Sequence, residues 1–136
     1  MMPADTTSSD SYFAPLRDEE FVVLSTFRAS GEAVPTTVWF AAAGGKIYIT
    51  TNVQLKKVGR IRATPRVMLA PSDRVGNVHG PAIEARARVL EAAEFAPAAA
   101  ALREKYGESY EAMTGRMDAN QPPNSRIFIE VTRPTD

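Results

Sequence analysis

Residues 33–51, AVPTTVWFAAAGGKIYITT, decide the fold. Two runs rich in valine, isoleucine, threonine and aromatic residues, 33–43 and 46–51, flank the pair Gly44-Gly45. β-Branched and aromatic residues favour strands, and a two-glycine connection is typical of a tight antiparallel turn. The sequence therefore predicts a β-hairpin at this point.

Further strands and helices are predicted on both sides of the hairpin. Residues 82–91 alternate apolar residues with glutamate and arginine, which predicts a strand with one face in the core. Residues 21–28 are apolar on both alternating faces, which indicates a strand buried on each side. Pro65 ends a helix predicted over 53–63, because its ring disfavours helical geometry in the preceding residue. The other predicted elements are strands 66–71 and 126–132, helices 96–106 and 109–113, a helical turn within 13–20, and loops 72–80 and 118–124.

Six short strands with small connections predict a mainly β protein, an antiparallel, closed or partly closed barrel with helices packed outside it. The chain has 136 residues, of which 44% are hydrophobic, as expected for one globular domain. We expect that domain to cover residues 12–136. Residues 1–11 are rich in serine, threonine and aspartate and are expected to be flexible.

Composition excludes several classes of protein. No run approaches the ~20 apolar residues of a membrane span, and the N-terminus does not resemble a secretory signal. The chain has no cysteine and one histidine, which argues against disulfides and metal sites. A net charge of zero argues against nucleic acid as a partner. We expect a cytoplasmic protein that binds neither membranes nor nucleic acid.

Charge is unevenly distributed along the chain. Residues 33–72 contain six lysines or arginines and no acid, although the whole protein balances 16 basic against 16 acidic residues. Five of the six cations lie in residues 54–67, QLKKVGRIRATPRV. Such a concentrated positive field suggests an anion site, and phosphate is the commonest biological anion. The alternative is a solvated helix face, which is the usual role of a charged run.

The corner between the strand 46–51 and the following helix is the candidate phosphate site. Backbone N–H groups and hydroxyls of Thr50 and Thr51 would meet there, and Lys57 follows about one and a half helical turns later. These threonines, like Thr36 and Thr37, have a structural role as their default interpretation.

No nucleophile, base and orienting acid can be assembled from the sequence, so no catalytic side chain is predicted. His79 lies in a glycine-flanked loop, where an exposed turn residue is a better interpretation than a catalytic base. Trp39 is better explained by core or dimer packing than by stacking on a ligand.

The strings VPTTVWF, IYITT, LKKVGRIRATPRVMLAPSD and GNVHGPAIEARARVLE occur in this order. Together they resemble the pyridoxamine-phosphate-oxidase-like split-barrel flavoproteins, and within them the branch of coenzyme F420-dependent enzymes. The resemblance covers roughly residues 21–91. It implies a split β-barrel homodimer with two cofactor sites at the subunit interface.

The resemblance also implies site residues. Thr51 and Lys57 match the threonine and lysine that hold the cofactor phosphate in the family, and Arg60 takes a position that is often basic. Departures from the family pattern are Leu55, where a small polar residue is common, and Gly59, where a basic residue is usual. The full predicted cofactor-binding set is Thr36, Thr37, Val38, Thr50, Thr51, Lys57, Arg60, Pro71, Ser72 and His79.

Three functions remain open at this stage. The first is an F420-dependent oxidoreductase that transfers a hydride between the deazaflavin and an unsaturated small molecule. The second keeps the fold but uses FMN, as an oxidase or reductase. The third is a protein that binds a cofactor without turnover. A site without an evident side-chain catalyst favours a cofactor enzyme, because the cofactor then supplies the difficult chemistry.

Overall fold

The computed structural model describes residues 12–16, 18–52, 56–119 and 125–134, so the predicted flexible segment 1–11 lies outside it. The strands are β1 (Phe21–Phe27), β2 (Ala33–Trp39), β3 (Ala41–Ala43), β4 (Lys46–Asn52), β5 (Arg66–Ser72), β6 (Ile83–Val89) and β7 (Arg126–Thr132). The α-helices are α1 (Lys56–Ala63), α2 (Phe95–Tyr106) and α3 (Glu108–Ala119), and 3₁₀ turns cover Ala14–Leu16 and Ala92–Glu94. None of the helices in the described ranges is long and apolar enough to cross a membrane. That residues 12–136 form one domain stays a prediction.

The described strands form one antiparallel sheet in the order β2-β1-β5-β6-β7-β4-β3. β2 and β3 lie at opposite edges of this sheet, yet only Phe40 separates them in sequence. The Cα atoms of Trp39 and Ala41 can therefore be no more than roughly 7 Å apart. The sheet must curl until its two edges meet at Phe40, which closes a barrel at that corner.

The mainly β, antiparallel fold with flanking helices is confirmed, but the prediction of six strands is wrong. The predicted strand 33–43 breaks at Phe40, which gives seven strands in the described ranges. The hydroxyl of Tyr106 lies 3.0 Å from the Phe40 backbone nitrogen and 2.7 Å from its carbonyl oxygen. The Tyr106 side chain of α2 thus satisfies the backbone N–H and C=O of Phe40, which would otherwise pair with a neighbouring strand. Burial raises the pKa of Tyr106 to about 12, so the phenol keeps its proton at neutral pH.

The predicted hairpin through the glycine pair is confirmed for β3 and β4. Gly44 and Gly45 have φ values of 60° and 80°, and Ala43 pairs directly with Lys46. Positive φ at both central residues is what a type I′ turn requires, and glycine adopts it without steric cost. The turn therefore fixes the register of β4.

Alternate residues of the long strands point into the barrel. In β6, Ala85 and Ala87 are buried while Glu84, Arg86 and Arg88 are exposed, as the alternation predicts. The same period places further apolar side chains in the interior cluster. They include Val22, Leu24, Val38, Phe40, Ile47, Ile49, Val67, Leu69, Ile129 and Val131.

A second core lies outside the barrel, between its wall and helices α2 and α3. Leu102 and Tyr110 of the helices pack there with Tyr48 and Phe128 of the strands. The helix predicted over 109–113 is present but longer than predicted, because α3 runs from Glu108 to Ala119 and includes residues 118 and 119, which were assigned to a loop. Buried tertiary contacts of α3 outweigh its weak local helical pattern. Residues 120–124 of that predicted loop lie outside the described range.

The helix predicted over 53–63 is present as α1 from Lys56 onward, and residues 53–55 lie outside the described ranges. Val58 and Ile61 form its buried face, as their spacing predicts. α1 contacts β1 and β6, and Ile61 belongs to the interior cluster. The helix therefore covers one end of the barrel, next to the point where β4 ends.

Candidate functional site

The end of β4 places its two threonines on opposite faces of the sheet. Thr51 follows Ile47 and Ile49 on the interior face and is buried. Thr50 points outward, and its hydroxyl donates a hydrogen bond to the Ile127 carbonyl at 3.1 Å. Because successive strand residues face opposite sides, a ligand approaching from one side meets only one of these two side chains.

Lys57 is the most unusual charged residue of the candidate site. The residue is 8% exposed, and no ion pair joins it to an acid among the described residues. Burial, and then the charge of Arg60, lowers the pKa of Lys57. A buried cation whose charged neighbour is another cation is costly unless an anion compensates it. This corner therefore has the electrostatics of an anion-binding site.

Arg60 is held beside Lys57 by the barrel itself. Its Nε donates a hydrogen bond of 2.6 Å to Oγ1 of Thr26, which is 1% exposed. Thr26 continues the interior face of β1 after Val22 and Leu24. The bond fixes one edge of the guanidinium and leaves its terminal nitrogens for other partners.

The four cations of α1 differ from Lys46 and Arg66, the other two cations of the acid-free segment 33–72. Lys46 pairs with Glu130 at 3.2 Å and Arg66 with Glu84 at 3.5 Å. Within the described residues, no such pair includes the cations of α1, which are Lys56, Lys57, Arg60 and Arg62. Lys56 and Arg62 are exposed, as expected for a solvated face, whereas Lys57 is buried. The cations of α1 thus include both solvated side chains and a buried one.

A second group of predicted site residues lies on β2, β1 and β5. Val22 of β1 pairs with Val38 on one side and with Pro71 on the other. These three residues form a row across the sheet. Thr36 shares the interior face of β2 with Val38, whereas Thr37 faces outward. The predicted threonine pair on β2 is therefore divided in the same way as the pair on β4.

The loop 73–80 folds back over β2. Asp73 organises it, because its carboxylate accepts hydrogen bonds from the backbone of Val75 and Asn77 and from the Asn77 amide, at 2.9–3.0 Å. Hydrogen bonds to the ionised carboxylate lower the pKa of Asp73. Gly76 has φ 93°, and a Cβ added there would lie 2.7 Å from Oγ1 of Thr37. The loop therefore sits against β2, the strand that carries Thr36, Thr37 and Val38 of the predicted cofactor-binding set.

Replacing Gly76 with alanine is expected to cost roughly 1–3 kcal/mol of unfolding free energy, from the positive φ together with the contact to Thr37. Gly31 is the matched control, because it has the same φ of 93° but nothing within 4 Å of an added Cβ. Urea unfolding of both alanine variants separates backbone strain from the steric contact. Equal losses in the two variants would contradict a tight approach of the loop to β2.

His79 and Ser72 are held within the same loop region. The His79 backbone nitrogen donates to the Pro71 carbonyl at 3.0 Å, and its Nε2 lies 2.7 Å from a carboxylate oxygen of Glu19. The Ser72 hydroxyl donates to the Asp73 carbonyl at 3.1 Å. His79 is exposed but paired with an acid, so it ties the loop to the segment before β1.

The ten predicted residues thus fall into two groups. Thr50, Thr51, Lys57 and Arg60 surround the β4–α1 corner, and the remaining six lie around β2, the end of β5 and the loop. Sequence reasoning missed Thr26 and Gly76, which position Arg60 and the loop. Two cavities with described linings, of about 390 and 230 Å³, lie elsewhere and do not include Lys57.

Fold and site together define an antiparallel β-barrel protein with a buried cationic corner that suits an anionic ligand. Residues 9–133 match the family described as pyridoxamine 5'-phosphate oxidase, and the chain belongs to this family. No curated protein matches the sequence.

Solved structures with the same fold have low sequence identity to this chain. HutZ, the heme storage protein from Vibrio cholerae, is 12% identical over 96% of this chain and 93% of its own, with a TM-score of 0.68. A conserved hypothetical protein from Mycobacterium tuberculosis is 20% identical over 99% and 82%, with a TM-score of 0.64. A FAD-binding protein from Mesorhizobium loti is 14% identical over 94% and 91%, with a TM-score of 0.59. At these identities the similarity shows the fold alone.

Proposed function

We propose that this chain binds a phosphorylated flavin-type cofactor and acts as an oxidoreductase. Coenzyme F420 is the proposed cofactor, and an unsaturated small molecule is the proposed substrate. The observation that carries the proposal is the buried Lys57, which has no anionic partner among the described residues. An arginine anchored one helical turn away adds a second cation that can contact a phosphate group.

A phosphate group fits the chemistry of this corner. Lys57 supplies a point charge from a poorly solvated position, where electrostatic attraction is stronger than in water. Arg60 supplies N–H donors that are already oriented by Thr26. Thr51 extends the wall from the interior face of β4. Orientation before binding reduces the entropic cost of ordering these side chains around the ligand.

The second group of residues is proposed to lie along the cofactor ring. The backbone of Thr36, Thr37 and Val38 would lie along one side of it, and Pro71, Ser72 and His79 would border it at the loop. Reduced F420, when bound, supplies the hydride. The protein's own role is to position the substrate above the ring and to exclude water, because the site offers no evident side-chain acid or base.

A second copy of the chain is the proposed partner that completes the site. Lys57 lines neither of the two cavities whose linings are described. β2 is an edge strand with exposed residues at Ala33 and Pro35. A homodimer with its interface at this edge would supply the missing walls.

The family and the similar structures define the competing cofactors. FMN remains the alternative within the same function, because it carries a phosphate as F420 does. The similarity to a FAD-binding protein supports a flavin-type ligand, whereas the similarity to a heme storage protein makes heme a competitor. Binding without turnover is the remaining alternative.

Parallel fluorescence titrations of the cofactor-free protein with F420, FMN, FAD and heme test the proposal. We expect saturable binding of F420 that is tighter than binding of the other three ligands. Tighter binding of FMN would retain an oxidoreductase with the alternative cofactor, and exclusive binding of heme would overturn the proposal. Bound reduced F420 should reoxidise against at least one member of a panel of quinones, enones and tetrapyrroles. A complete lack of reoxidation would instead indicate a carrier.

A further inference from the structure

Lys105, in the last turn of α2, lies in an unusual environment away from the candidate cofactor site. Its Nζ is 3.5 Å from the centroid of the Phe40 ring and donates a hydrogen bond of 2.6 Å to the Glu19 carbonyl. The residue also lines the cavity of about 390 Å³. The other walls of this cavity include Phe13, Ala42, Ala43, Lys46, Ala101 and Glu104.

The Lys105 amino group is poorly hydrated although the residue as a whole is exposed. Burial lowers its pKa from 10.5 to about 8, and the nearby charges of Glu20 and Glu19 only partly oppose this shift. Glu104 also faces the cavity, and Lys46 is neutralised by Glu130. A sizeable fraction of the amine, roughly a tenth at pH 7, is then uncharged. A neutral lysine amine is a nucleophile, whereas its ammonium form is not.

We propose that Lys105 is an acylation site, modified directly by small acyl phosphates that enter this cavity. The apolar side chains of Phe13, Ala42 and Ala101 suit the acyl group. Glu130 offsets the charge of Lys46, but the Lys46 ammonium keeps further N–H donors, which suit the phosphate oxygens. A volume of about 390 Å³ is ample for a donor of this size.

The chemical step needs no further reactant. The lone pair of the neutral amine attacks the carbonyl carbon of the acyl phosphate, and a C–N bond forms. The bond from that carbon to the phosphate oxygen breaks, and inorganic phosphate leaves with the electron pair. The amine proton passes to solvent, and no atom changes oxidation state.

Acylation would change the surroundings of Phe40, where the barrel closes. An amide carries no positive charge, so the cation–π contact with Phe40 is lost. Phe40 is the residue at which the two sheet edges meet. The modification therefore acts on the connection between β2 and β3, through a side chain that lies outside the candidate cofactor site.

The test compares the four lysines of the chain, which are Lys46, Lys56, Lys57 and Lys105. The full-length protein is incubated with acetyl phosphate between pH 6.5 and 10, and acetylation of each lysine is followed by peptide mass spectrometry. We expect Lys105 to react roughly tenfold faster than the exposed Lys56 at neutral pH. Its rate should rise with pH and level off above pH 8, because protonation suppresses the nucleophile below its pKa of about 8.

Two variants make the test specific. Lys105→Arg should abolish labelling at this position and leave the rates at the other lysines unchanged. Ala43→Leu narrows the cavity at an exposed position and should slow acetylation of Lys105 several-fold without affecting Lys56. A Lys105 rate equal to or below that of Lys56 would overturn the proposal. An unchanged Lys105 rate in Ala43→Leu would overturn the role of the cavity.

Discussion

Replacing Lys57 with methionine is expected to weaken F420 binding roughly 10- to 100-fold, the loss typical of a hydrogen bond to a charged group. The side chain is buried and has no anionic partner among the described residues. A bound phosphate would therefore be its main source of compensating charge. The same fluorescence titration measures the change in dissociation constant.

The matched control is Lys56→Met, one residue earlier in α1 and exposed to solvent. It removes the same charge from the same helix and should change the dissociation constant less than twofold to threefold, because exposed charges are screened. A second readout comes from the cofactor-free protein. Lys57→Met should increase its unfolding free energy, since it removes a cation whose charged form is disfavoured by burial and by Arg60. Equal affinities for wild type and Lys57→Met would refute the phosphate role.

Phe40→Ala is expected to lower the unfolding free energy by roughly 3–5 kcal/mol. The side chain is fully buried, and its ring lies in the interior cluster beneath the amino group of Lys105. Truncation leaves a cavity at the corner where the sheet closes, and the Tyr106 hydroxyl holds the backbone there in place. The surrounding structure therefore cannot relax easily into the empty space. Urea unfolding measures the loss. An unchanged slope of the unfolding free energy against urea concentration checks that unfolding stays two-state.

Phe40→Leu is the companion variant, because it keeps most of the apolar volume. It should cost about 1–1.5 kcal/mol. A loss below about 1 kcal/mol in Phe40→Ala would show that this residue does not determine closure of the barrel.

Local patterns predicted much of the sheet correctly. The glycine pair specifies the turn between β3 and β4, and alternation specifies the faces of β6. The break at Phe40 could not be predicted, because it depends on a tyrosine 66 residues later in the chain. The length of α3 was underestimated for a similar reason. Its stability comes from burial of Tyr110 and Thr114, which no local pattern encodes.

The candidate site also has features that the sequence could predict and features that it could not. An acid-free basic segment indicated an anion site, but sequence cannot tell a buried lysine from an exposed one. Lys56 and Lys57 are adjacent and differ completely in exposure. The bond from Arg60 to Thr26 spans 34 residues, and the approach of Gly76 to Thr37 spans a similar distance along the chain. Such long-range contacts become visible only once the strands are paired.

The central position of β7 has a consequence for biosynthesis. β7 lies between β6 and β4, so it alone joins the four-stranded part β2-β1-β5-β6 to the hairpin β4-β3 by hydrogen bonds within the described sheet. Until Thr132 has emerged from the ribosome, β7 cannot join those two parts by strand hydrogen bonds. We expect a nascent chain that is stalled before β7 to expose the inner faces of β4 and β6 and to depend on chaperones.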